Sequence, residues 1–440
     1  MITTESISPL FTDLYELTMM AGYYKKNMNK EASFSLYIRP ENTRNYFVFA
    51  GLETVINYIE NLKFSSDEIN YLKSLNLFDY SFLKMLENFR FTGDIHAMEE
   101  GTVFFGNEPA LEVTAPIIEA QLLETMIVNT INFETMIATK AARCVHSAGN
   151  KPLTDFSLRR THGSDAGIKT ARSAYIGGFS ATSNVLAGKM FNIPVSGTMA
   201  HSFVTAFKTE EEAFEAFCET FPDQSVLLID TYDTLDGAKT AAKTGKKLES
   251  QGKKLKGVRL DSGDMADLSI KVRKILDDNG LNDTKIFASS GFDEFKIKKT
   301  LEQKAAIDAF GVGTSMGVSA DAPFHDTVYK LNFFNGRNVR KLSKNKITLA
   351  GKKQVFRFFD ENNLIKKDII GTRKENFNNS YKLLKPAVKQ GVRCKEPESV
   401  ENIKQRFKEE FTKLDNKYKI LDKHVSFPVQ ISQTLESAQP

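Results

Sequence analysis

Residues 256–264 place an arginine and an aspartate at the end of a short apolar run. The segment reads Lys-Gly-Val-Arg-Leu-Asp-Ser-Gly-Asp, so Arg259 and Asp261 stand two positions apart. Residues two apart on a strand share a face, and both side chains would project toward one pocket. A guanidinium suits an anionic oxygen, and a carboxylate suits ribose hydroxyls or a magnesium ion. A structural ion pair is the alternative interpretation.

A histidine stands at a predicted strand-to-helix junction in residues 194–203, Pro-Val-Ser-Gly-Thr-Met-Ala-His-Ser-Phe. His201 lies between two hydroxyl residues, Thr198 and Ser202. To act as a nucleophile it would need a neutral ring nitrogen facing the pocket and a partner that orients the other nitrogen. A lone histidine in such a place is more often structural, so its surroundings alone leave the role open.

Two further segments could hold an anion. Arg159 and Arg160 follow a plausible strand end in residues 155–163, where they could form paired hydrogen bonds with phosphate or carboxylate. In residues 175–184 a glycine pair that includes Gly178 precedes a hydroxyl cluster and an apolar helix, which would leave backbone N–H groups free for an anion. Solvated arginines and an ordinary turn remain the alternatives.

The remaining candidates follow other short β-runs. Asp230 and Asp233 come after the run at 226–229 and form a second pair of acids. Two glycine-rich turns come later, and they contain Ser290 with Gly291 and Gly313 with Thr314. Phosphate-binding turns follow the last two strands of an α/β barrel in the same way, so we expect a phosphate site there.

The elements that must position these residues alternate between strand and helix. Short apolar runs lead into polar turns and then helical segments such as 235–252, which predicts a parallel sheet in a closed or nearly closed barrel. Catalytic residues should then stand just after each strand. The runs are 226–229, 257–260, 285–288 and 309–312.

The flanking sequence predicts an α+β unit. We expect domains at 1–140 (α+β), 141–335 (barrel) and 336–440, the last returning to the first domain and ending in a helix. The other expected elements are helices at 14–24, 53–62, 66–75 and 400–414, one long buried helix at 117–139, a strand at 32–38, short strands within 90–115, and a basic turn at 341–346.

Composition narrows the class of protein. The formal net charge is +4 with lysines and acids interleaved, and no polybasic arm of the kind that binds nucleic acid stands out. The three cysteines lack CxxC spacing, which argues against a disulfide framework and a zinc cluster and favours a reducing compartment. Neither a signal peptide nor a membrane-spanning apolar run is apparent. We therefore expect a cytoplasmic enzyme with a small anionic substrate.

Taken in order, these segments resemble the nicotinate phosphoribosyltransferase family, a type II phosphoribosyltransferase. The resemblance covers most of the chain. It is carried by Thr12-Asp13-Leu14-Tyr15, Leu158-Arg159-Arg160, Gly-Gly-Phe at 177–179, Ser-Asn-Val-Leu-Ala-Gly at 183–188, His201, Asp-Thr-Tyr at 230–232, Val-Arg-Leu-Asp-Ser-Gly-Asp at 258–264, Gly-Val-Gly-Thr-Ser at 311–315, Tyr329-Lys330-Leu331 and Gly-Lys-Lys-Gln-Val at 351–355.

The resemblance implies a reaction and a fold. Nicotinate and phosphoribosyl pyrophosphate would give nicotinate mononucleotide and pyrophosphate, coupled to ATP hydrolysis with Mg²⁺, as a step of NAD biosynthesis. The implied fold is an irregular α/β barrel with an α+β N-terminal domain completed by C-terminal strands. A homodimer is implied as well.

The resemblance also implies roles for single residues. His201 would be transiently phosphorylated by ATP, Tyr15 and Thr198 would contact nicotinate, and Tyr15 would do so in the neighbouring subunit. Arg259 would hold anionic substrate and Thr314 would lie in the phosphate site.

Three other interpretations compete with this one. Nicotinamide phosphoribosyltransferase takes a neutral amide, whereas Arg159, Arg160 and Arg259 are available here for a carboxylate. Quinolinate phosphoribosyltransferase would need a denser basic pocket and no phosphorylated histidine. A catalytically silent barrel that binds metabolites would have no use for a phosphorylatable histidine.

Overall fold

The computed structural model describes residues 7–343 and 348–440. It contains sixteen α-helices within these residues. In chain order they are α1 Leu14–Lys25, α2 Leu52–Glu60, α3 Ser66–Ser74, α4 Tyr80–Glu87, α5 Ile117–Leu122, α6 Glu124–Ala148, α7 Ser164–Ile176, α8 Val185–Phe191, α9 His201–Ala206, α10 Glu210–Thr220, α11 Thr234–Ser250, α12 Met265–Asp278, α13 Glu294–Glu302, α14 Thr314–Gly317, α15 Val400–Lys413 and α16 Gln433–Ser437.

Nineteen β-strands accompany the helices in the described residues. They are β1 Glu31–Ile38, β2 Phe47–Val48, β3 Asp94–Ala97, β4 Val103–Phe104, β5 Pro109–Pro116, β6 Leu153–Asp155, β7 Ala181–Thr182, β8 Val226–Leu228, β9 Gly257–Leu260, β10 Lys285–Ala288, β11 Ala309–Val312, β12 Thr327–Phe334, β13 Arg337–Asn338, β14 Lys353–Phe359, β15 Ile365–Thr372, β16 Ser380–Lys382, β17 Lys385–Lys389, β18 Val392–Arg393 and β19 Val429–Ile431.

The chain divides into two compact units. Among the described residues, the first contains 7–139, 322–343 and 348–440, and the second contains 140–321. The second boundary differs from the predicted one at 335, because β12 pairs along its length with β1 and so belongs to the first unit. Part of the predicted basic turn at 341–346 lies outside the described residues.

The first unit is built on a seven-stranded antiparallel sheet in the order β13-β12-β1-β5-β3-β17-β18. A four-stranded sheet, β16-β14-β15-β19, and the two-stranded pair β2-β4 accompany it. Residues of β1 are buried almost without interruption, so both faces of this central strand are covered. The apolar core of the unit includes Leu36, Phe104, Leu111 and Ile127.

The predicted long helix at 117–139 is wrong in two respects, because it is interrupted and because its second part continues to Ala148. It consists of two helices, α5 and α6, with Leu123 between them as the C-cap of α5. The break is stabilised by a side chain from elsewhere, because Glu16 accepts a hydrogen bond from the backbone N–H of Thr125 at 3.0 Å. Local hydrophobic pattern cannot reveal such a partner.

The second unit contains six parallel strands in the hydrogen-bonded order β7-β6-β11-β10-β9-β8. β6 pairs with β7, strands β8 to β11 pair in succession, and β11 pairs with β6, so the order is circular except for a break between β7 and β8. At this break Thr182 forms a parallel bridge to Val195. The predicted irregular α/β barrel is confirmed.

Aspartates at the ends of three βα turns cap the N-termini of the barrel helices that follow. Asp233, Asp264 and Asp293 are the N-cap residues of α11, α12 and α13, and each side chain accepts at least one backbone N–H of the following turn. Such caps satisfy donors that the helix itself cannot satisfy.

A buried ion pair joins two strands of the four-stranded sheet. Arg357 of β14 stands opposite Asp368 of β15, and neither side chain is exposed. The guanidinium Nη2 donates to Asp368 Oδ2 at 2.6 Å, and Nη1 donates to the carbonyl of Val103 at 2.7 Å and to Glu410 at 2.9 Å. With its hydrogen-bonding groups so engaged, the arginine can be buried at acceptable cost.

We expect Arg357→Ala to lower the free energy of unfolding by about 3–5 kcal/mol, because it leaves Asp368 buried and without its cation. Urea denaturation of the full chain measures this loss. The control is Arg39→Ala, which removes a pair with the half-exposed Asp326 and should cost less than about 1 kcal/mol. Equal losses in the two variants would contradict this expectation.

Candidate active site at the barrel rim

The carboxyl ends of the barrel strands carry most of the candidate residues. Asp230 and Asp261 follow β8 and β9, Ser290 and Gly291 follow β10, and Gly313 follows β11. Ligands of α/β barrels bind at this end of the sheet.

Rim carboxylates link neighbouring strands. Asp230 Oδ2 accepts hydrogen bonds from the backbone N–H of Asp261 at 3.0 Å and from the hydroxyl of Ser262 at 2.6 Å. Asp261 in turn accepts a hydrogen bond from the hydroxyl of Ser289, just after β10. On the other side of the barrel, Asp155 at the end of β6 accepts from Thr182 of β7 at 2.8 Å.

The guanidinium of Arg259 lies inside this rim. Its Nη1 donates to Thr198 Oγ1 at 2.7 Å, while its Nε is buried without a hydrogen-bond partner among the described residues. Burial lowers the pKa of Arg259, whereas Asp261 and Asp230 oppose this effect. Arginine remains charged even so, which leaves a partly buried cation with an unused donor.

His201 begins α9 and reaches the same carboxylate. Its Nδ1 lies 3.2 Å from Thr231 Oγ1, and its Nε2 lies 3.8 Å from Asp261 Oδ2. The side chain is 44% exposed, so a reactant in solution can reach it. One ring nitrogen is thus oriented by a hydroxyl, which leaves Nε2 for chemistry beside Asp261.

A cavity of about 230 Å³ opens beside Arg259. Three aromatic rings, those of Phe156, Phe287 and Phe310, line it together with Thr198. Flat apolar walls around a single cation suit a small planar anion. The other lining residues are Thr154, Val195, Ser196, Gly197, Gln224, Val226, Arg259, Ala288, Ser289 and Gly311.

The two glycine-containing turns after β10 and β11 differ in backbone conformation and in the contacts that hold them. Ser290 and Gly291 have φ angles of +101° and +60°, and Lys296 Nζ holds the turn by donating to the carbonyl of Ser290 at 2.6 Å. Gly313 precedes the exposed Thr314, which begins α14. Gly311, two residues before Gly313, has a packing role, because a Cβ at this position would lie 2.4 Å from the Phe156 ring.

Two predictions do not fit the structure. Gly178 follows the end of α7, and its N–H donates to the carbonyl of Tyr175 at 3.0 Å, so it is not available to an anion. Asp233 does not form a rim pair with Asp230, because it caps α11 by accepting the N–H groups of Leu235 and Asp236 at 2.9 Å. Both departures arise from helix ends.

The arginine pair lies in a short 3₁₀-helix, Leu158–Arg160, and both side chains are exposed. Arg159 lies close enough to Arg259 for its charge to lower the pKa of that residue.

The predicted nicotinate contact Tyr15 belongs to α1 of the other unit and is 46% exposed.

Sequence reasoning missed several residues that the geometry brings into the site. Thr231 stood in a recognised motif without a role, and its contact with His201 depends on the approach of α9 to the turn after β8. Ser262 likewise stood in a recognised motif without a role, whereas Ser289, Phe287 and Phe310 had no signal beyond their place in or near the ends of strands.

A magnesium ion would find two carboxylates here. Asp230 Oδ1 is buried without a hydrogen-bond partner in the described part of the chain, and Asp261 lies beside it. Residues 7–343 and 348–440 contain no group of three or more His, Cys, Asp or Glu side chains that could hold a metal. Two carboxylates fit Mg²⁺ that is shared with substrate phosphates, and not a closed protein cage.

Family models match most of the chain. Residues 10–132 match the nicotinate phosphoribosyltransferase (NAPRTase) N-terminal domain, and residues 152–410 match the nicotinate phosphoribosyltransferase (NAPRTase) family. This chain belongs to the nicotinate phosphoribosyltransferase family.

Relatives agree with this assignment. Nicotinate phosphoribosyltransferase pncB2 of Mycobacterium tuberculosis is 43% identical over 397 residues, which cover 90% of this chain and 85% of that protein. The nicotinate phosphoribosyltransferase of Bacillus subtilis is 39% identical, with 96% and 93% covered. The family resemblance drawn from the motifs is confirmed.

Human nicotinic acid phosphoribosyltransferase has the same fold. Its crystal structure matches with a TM-score of 0.86 at 24% identity, and the match covers 97% of this chain and 98% of that one.

No helix of the described residues combines the length and apolar character that a membrane span requires.

Glu210 adds an acid that titrates near neutrality. It begins α10, and its Oε1 is buried without a hydrogen-bond partner in the described chain. Burial, followed by the charges of Asp230, Asp233 and Asp236, raises its pKa from 4.5 to about 7. The folded protein therefore binds more protons than the unfolded chain between these values, and stability falls as pH rises through them.

We expect the difference in the free energy of unfolding between Glu210→Gln and the wild type to change with pH. As pH rises from 5 to 8, it should shift in favour of the variant by about 1–2 kcal/mol after allowance for solvent screening. Thermal or urea unfolding at both pH values measures this difference. Glu212→Gln, an exposed position in the same helical turn, should show no such gain. A difference that does not change with pH would contradict the raised pKa.

Proposed function

We propose that this chain joins nicotinate to phosphoribosyl pyrophosphate, giving nicotinate mononucleotide and pyrophosphate in NAD biosynthesis. The observation that carries this proposal is Arg259, a partly buried cation with an unused donor beside a phenylalanine-lined cavity. Family membership supports the reaction, and the cavity beside Arg259 supports our assignment of the pyridine carboxylate to this site.

The chemistry asks the protein mainly to position reactants and to neutralise charge. The pyridine nitrogen attacks the ribose carbon as its bond to pyrophosphate breaks, and the ribose passes through a cationic, oxocarbenium-like state. Fixed geometry and preorganised charge lower such a barrier. Arg159, Arg160 and Arg259 can hold anionic groups, the turns at Ser290–Gly291 and Gly313–Thr314 can hold phosphates, and Asp230 can accept ribose hydroxyls.

His201 is proposed as the residue that ATP phosphorylates. A neutral Nε2 attacks the terminal phosphorus of ATP and ADP leaves; water later hydrolyses the phosphohistidine to phosphate. The contact of Nδ1 with Thr231 supports this role, since it leaves Nε2 beside Asp261. Phosphorylation would place a dianion at the rim and so change how the site binds charged ligands.

Mg²⁺ is proposed to bind through Asp261 and Asp230 together with substrate oxygens. When bound, the ion would neutralise the charge of the departing diphosphate. The buried, unpartnered Oδ1 of Asp230 supports this assignment.

A homodimer with Tyr15 in the neighbouring subunit's site completes the proposal. The exposure of Phe11, Leu14, Tyr15 and Met19 at or just before the start of α1 supports it, because so many large apolar groups on one short segment favour a protein contact.

The state of the cysteines supports a cytoplasmic location. Cys144, Cys218 and Cys394 form no disulfide, which suits the reducing cytoplasm.

The decisive assay measures nucleotide formation with nicotinate and with nicotinamide, each with and without ATP. We expect turnover of nicotinate, stimulated by ATP in the wild type, and loss of that stimulation in His201→Ala. His424→Ala, an exposed histidine of the other unit, is the matched control.

Equal ATP stimulation in His201→Ala and the wild type would remove His201 as the phosphoacceptor. Preferred use of nicotinamide would support the amide-specific alternative. No nucleotide from either pyridine would support a silent barrel.

Removal of the rim carboxylate tests the magnesium proposal. We expect Asp261→Asn to raise the Mg²⁺ concentration needed for half-maximal activity by about tenfold, which corresponds to about 1.4 kcal/mol. Asp267→Asn, an exposed position on α12 that pairs with Lys271, should leave this concentration unchanged. The same Mg²⁺ dependence in all three proteins would contradict the assignment.

A further inference from the structure

A buried carboxylate lies directly beside Tyr15. Glu16 is the third residue of α1 and is 0% exposed, whereas Tyr15 is 46% exposed. Its hydrogen-bond donors within the described chain are hydroxyl and backbone amide groups, and not the cation that usually accompanies a buried acid. A buried acid held in this way needs a reason other than an ion pair.

Glu16 joins the start of α1 to the start of α6. Its Oε1 accepts the backbone N–H of Thr125 at 3.0 Å and the hydroxyl of Thr125 at 2.6 Å. Its Oε2 accepts the hydroxyl of Thr12. The backbone N–H of Thr125 is one that α6 cannot satisfy internally, so Glu16 caps that helix from another element.

Asp13, which precedes α1, contacts the same threonine. Asp13 occupies the N-cap position but makes no side-chain capping bond. Instead the hydroxyl of Thr125 lies 2.7 Å from Asp13 Oδ2, and the N–H of Asp13 donates to that hydroxyl at 3.2 Å. Thr125 is therefore the common anchor for the residues on either side of Tyr15.

Consecutive residues of a helix leave it in fixed relative directions. With Glu16 held on Thr125, and Leu17 and Met20 buried in the core, the direction of the Tyr15 side chain is set. Loss of the Glu16 contacts would free the first turn and let the tyrosine sample many orientations.

We infer that Glu16 is a positioning residue for Tyr15, and that its hydrogen bonds to Thr12 and Thr125 preorganise the tyrosine for nicotinate. This inference rests on the proposed contact between Tyr15 and nicotinate. Preorganisation of a contact residue lowers the cost of binding and does not alter the chemical step.

The carboxylate and its protonated form can both make these contacts. Burial raises the pKa of Glu16 to about 7, the hydrogen bonds from Thr12 and Thr125 oppose the rise, and the charge of Glu124 adds to it. A glutamine resembles the protonated form, since its amide oxygen can accept from Thr125 and its NH₂ can donate to Thr12. Glu16→Gln should therefore keep Tyr15 in position.

A double-mutant cycle tests the inference on the full-length enzyme. The variants are Glu16→Ala, Tyr15→Ala, the double variant and Glu16→Gln, and the measured quantities are kcat and the KM values for nicotinate and phosphoribosyl pyrophosphate. We expect Glu16→Ala to raise the KM for nicotinate by about tenfold with kcat and the other KM nearly unchanged. It should have no further effect once Tyr15 is alanine, and Glu16→Gln should behave as the wild type.

Glu119→Ala is the matched control. Glu119 of α5 also ties two segments together, accepting the N–H of Thr92 at 2.6 Å and its hydroxyl, but it is not among the groups that influence Tyr15. Its loss should leave the KM for nicotinate unchanged. If Glu16→Ala does not fold, Thr125→Val removes the shared hydroxyl and should raise the same KM.

Three results would overturn the inference. Equal effects of Glu16→Ala with and without Tyr15 would show that Glu16 acts independently. A similar rise of KM in Glu119→Ala would show general destabilisation. An unchanged KM in Tyr15→Ala would refute the proposed contact itself, and with it the role of Glu16.

Discussion

Hydrogen bonds accepted by rim carboxylates hold the turns of the barrel in register. Asp230 accepts from the backbone and side chain that follow the next strand, and Asp261 accepts from Ser289 one strand further on. A carboxylate that bridges two strands in this way cannot move without breaking bonds at a partly buried site. Arg259 lies on β9 between these two links, the turn at Ser290 follows Ser289 directly, and His201 Nε2 lies 3.8 Å from Asp261 Oδ2.

The same carboxylates also create the electrostatics of the site. Asp261 and Asp230 oppose the effect of burial on Arg259, while Asp230, together with Asp233 and Asp236, raises the pKa of Glu210. A cation and several acids thus share one rim, which suits substrates that bring phosphates, a carboxylate and a divalent cation together. The structural and the proposed catalytic roles of these residues therefore overlap.

Much of the fold followed from the sequence because short apolar runs bounded by polar turns are characteristic of a parallel sheet. The runs at 257–260, 285–288 and 309–312 coincide with β9, β10 and β11. Their order alone predicts that Arg259 and Asp261 lie at one rim. The family assignment followed from the motifs that occupy these turns.

The departures share a physical cause, because each depends on a hydrogen-bond partner that is distant in sequence or on the end of a helix. Glu16 caps α6 across 109 residues, and no local pattern reveals the break at Leu123. Gly178 uses its N–H to close α7, whereas its sequence suggested a free donor. The aromatic walls of the cavity likewise come from three separate strand regions.

The central proposal is that Arg259 receives the carboxylate of a small pyridine ligand. Isothermal titration of the wild type and Arg259→Gln with nicotinate, and of both proteins with nicotinamide, tests it most directly. We expect the wild type to bind nicotinate more tightly than nicotinamide, and Arg259→Gln to lose this preference by weakening nicotinate binding. Equal affinity of the wild type and Arg259→Gln for nicotinate would contradict it.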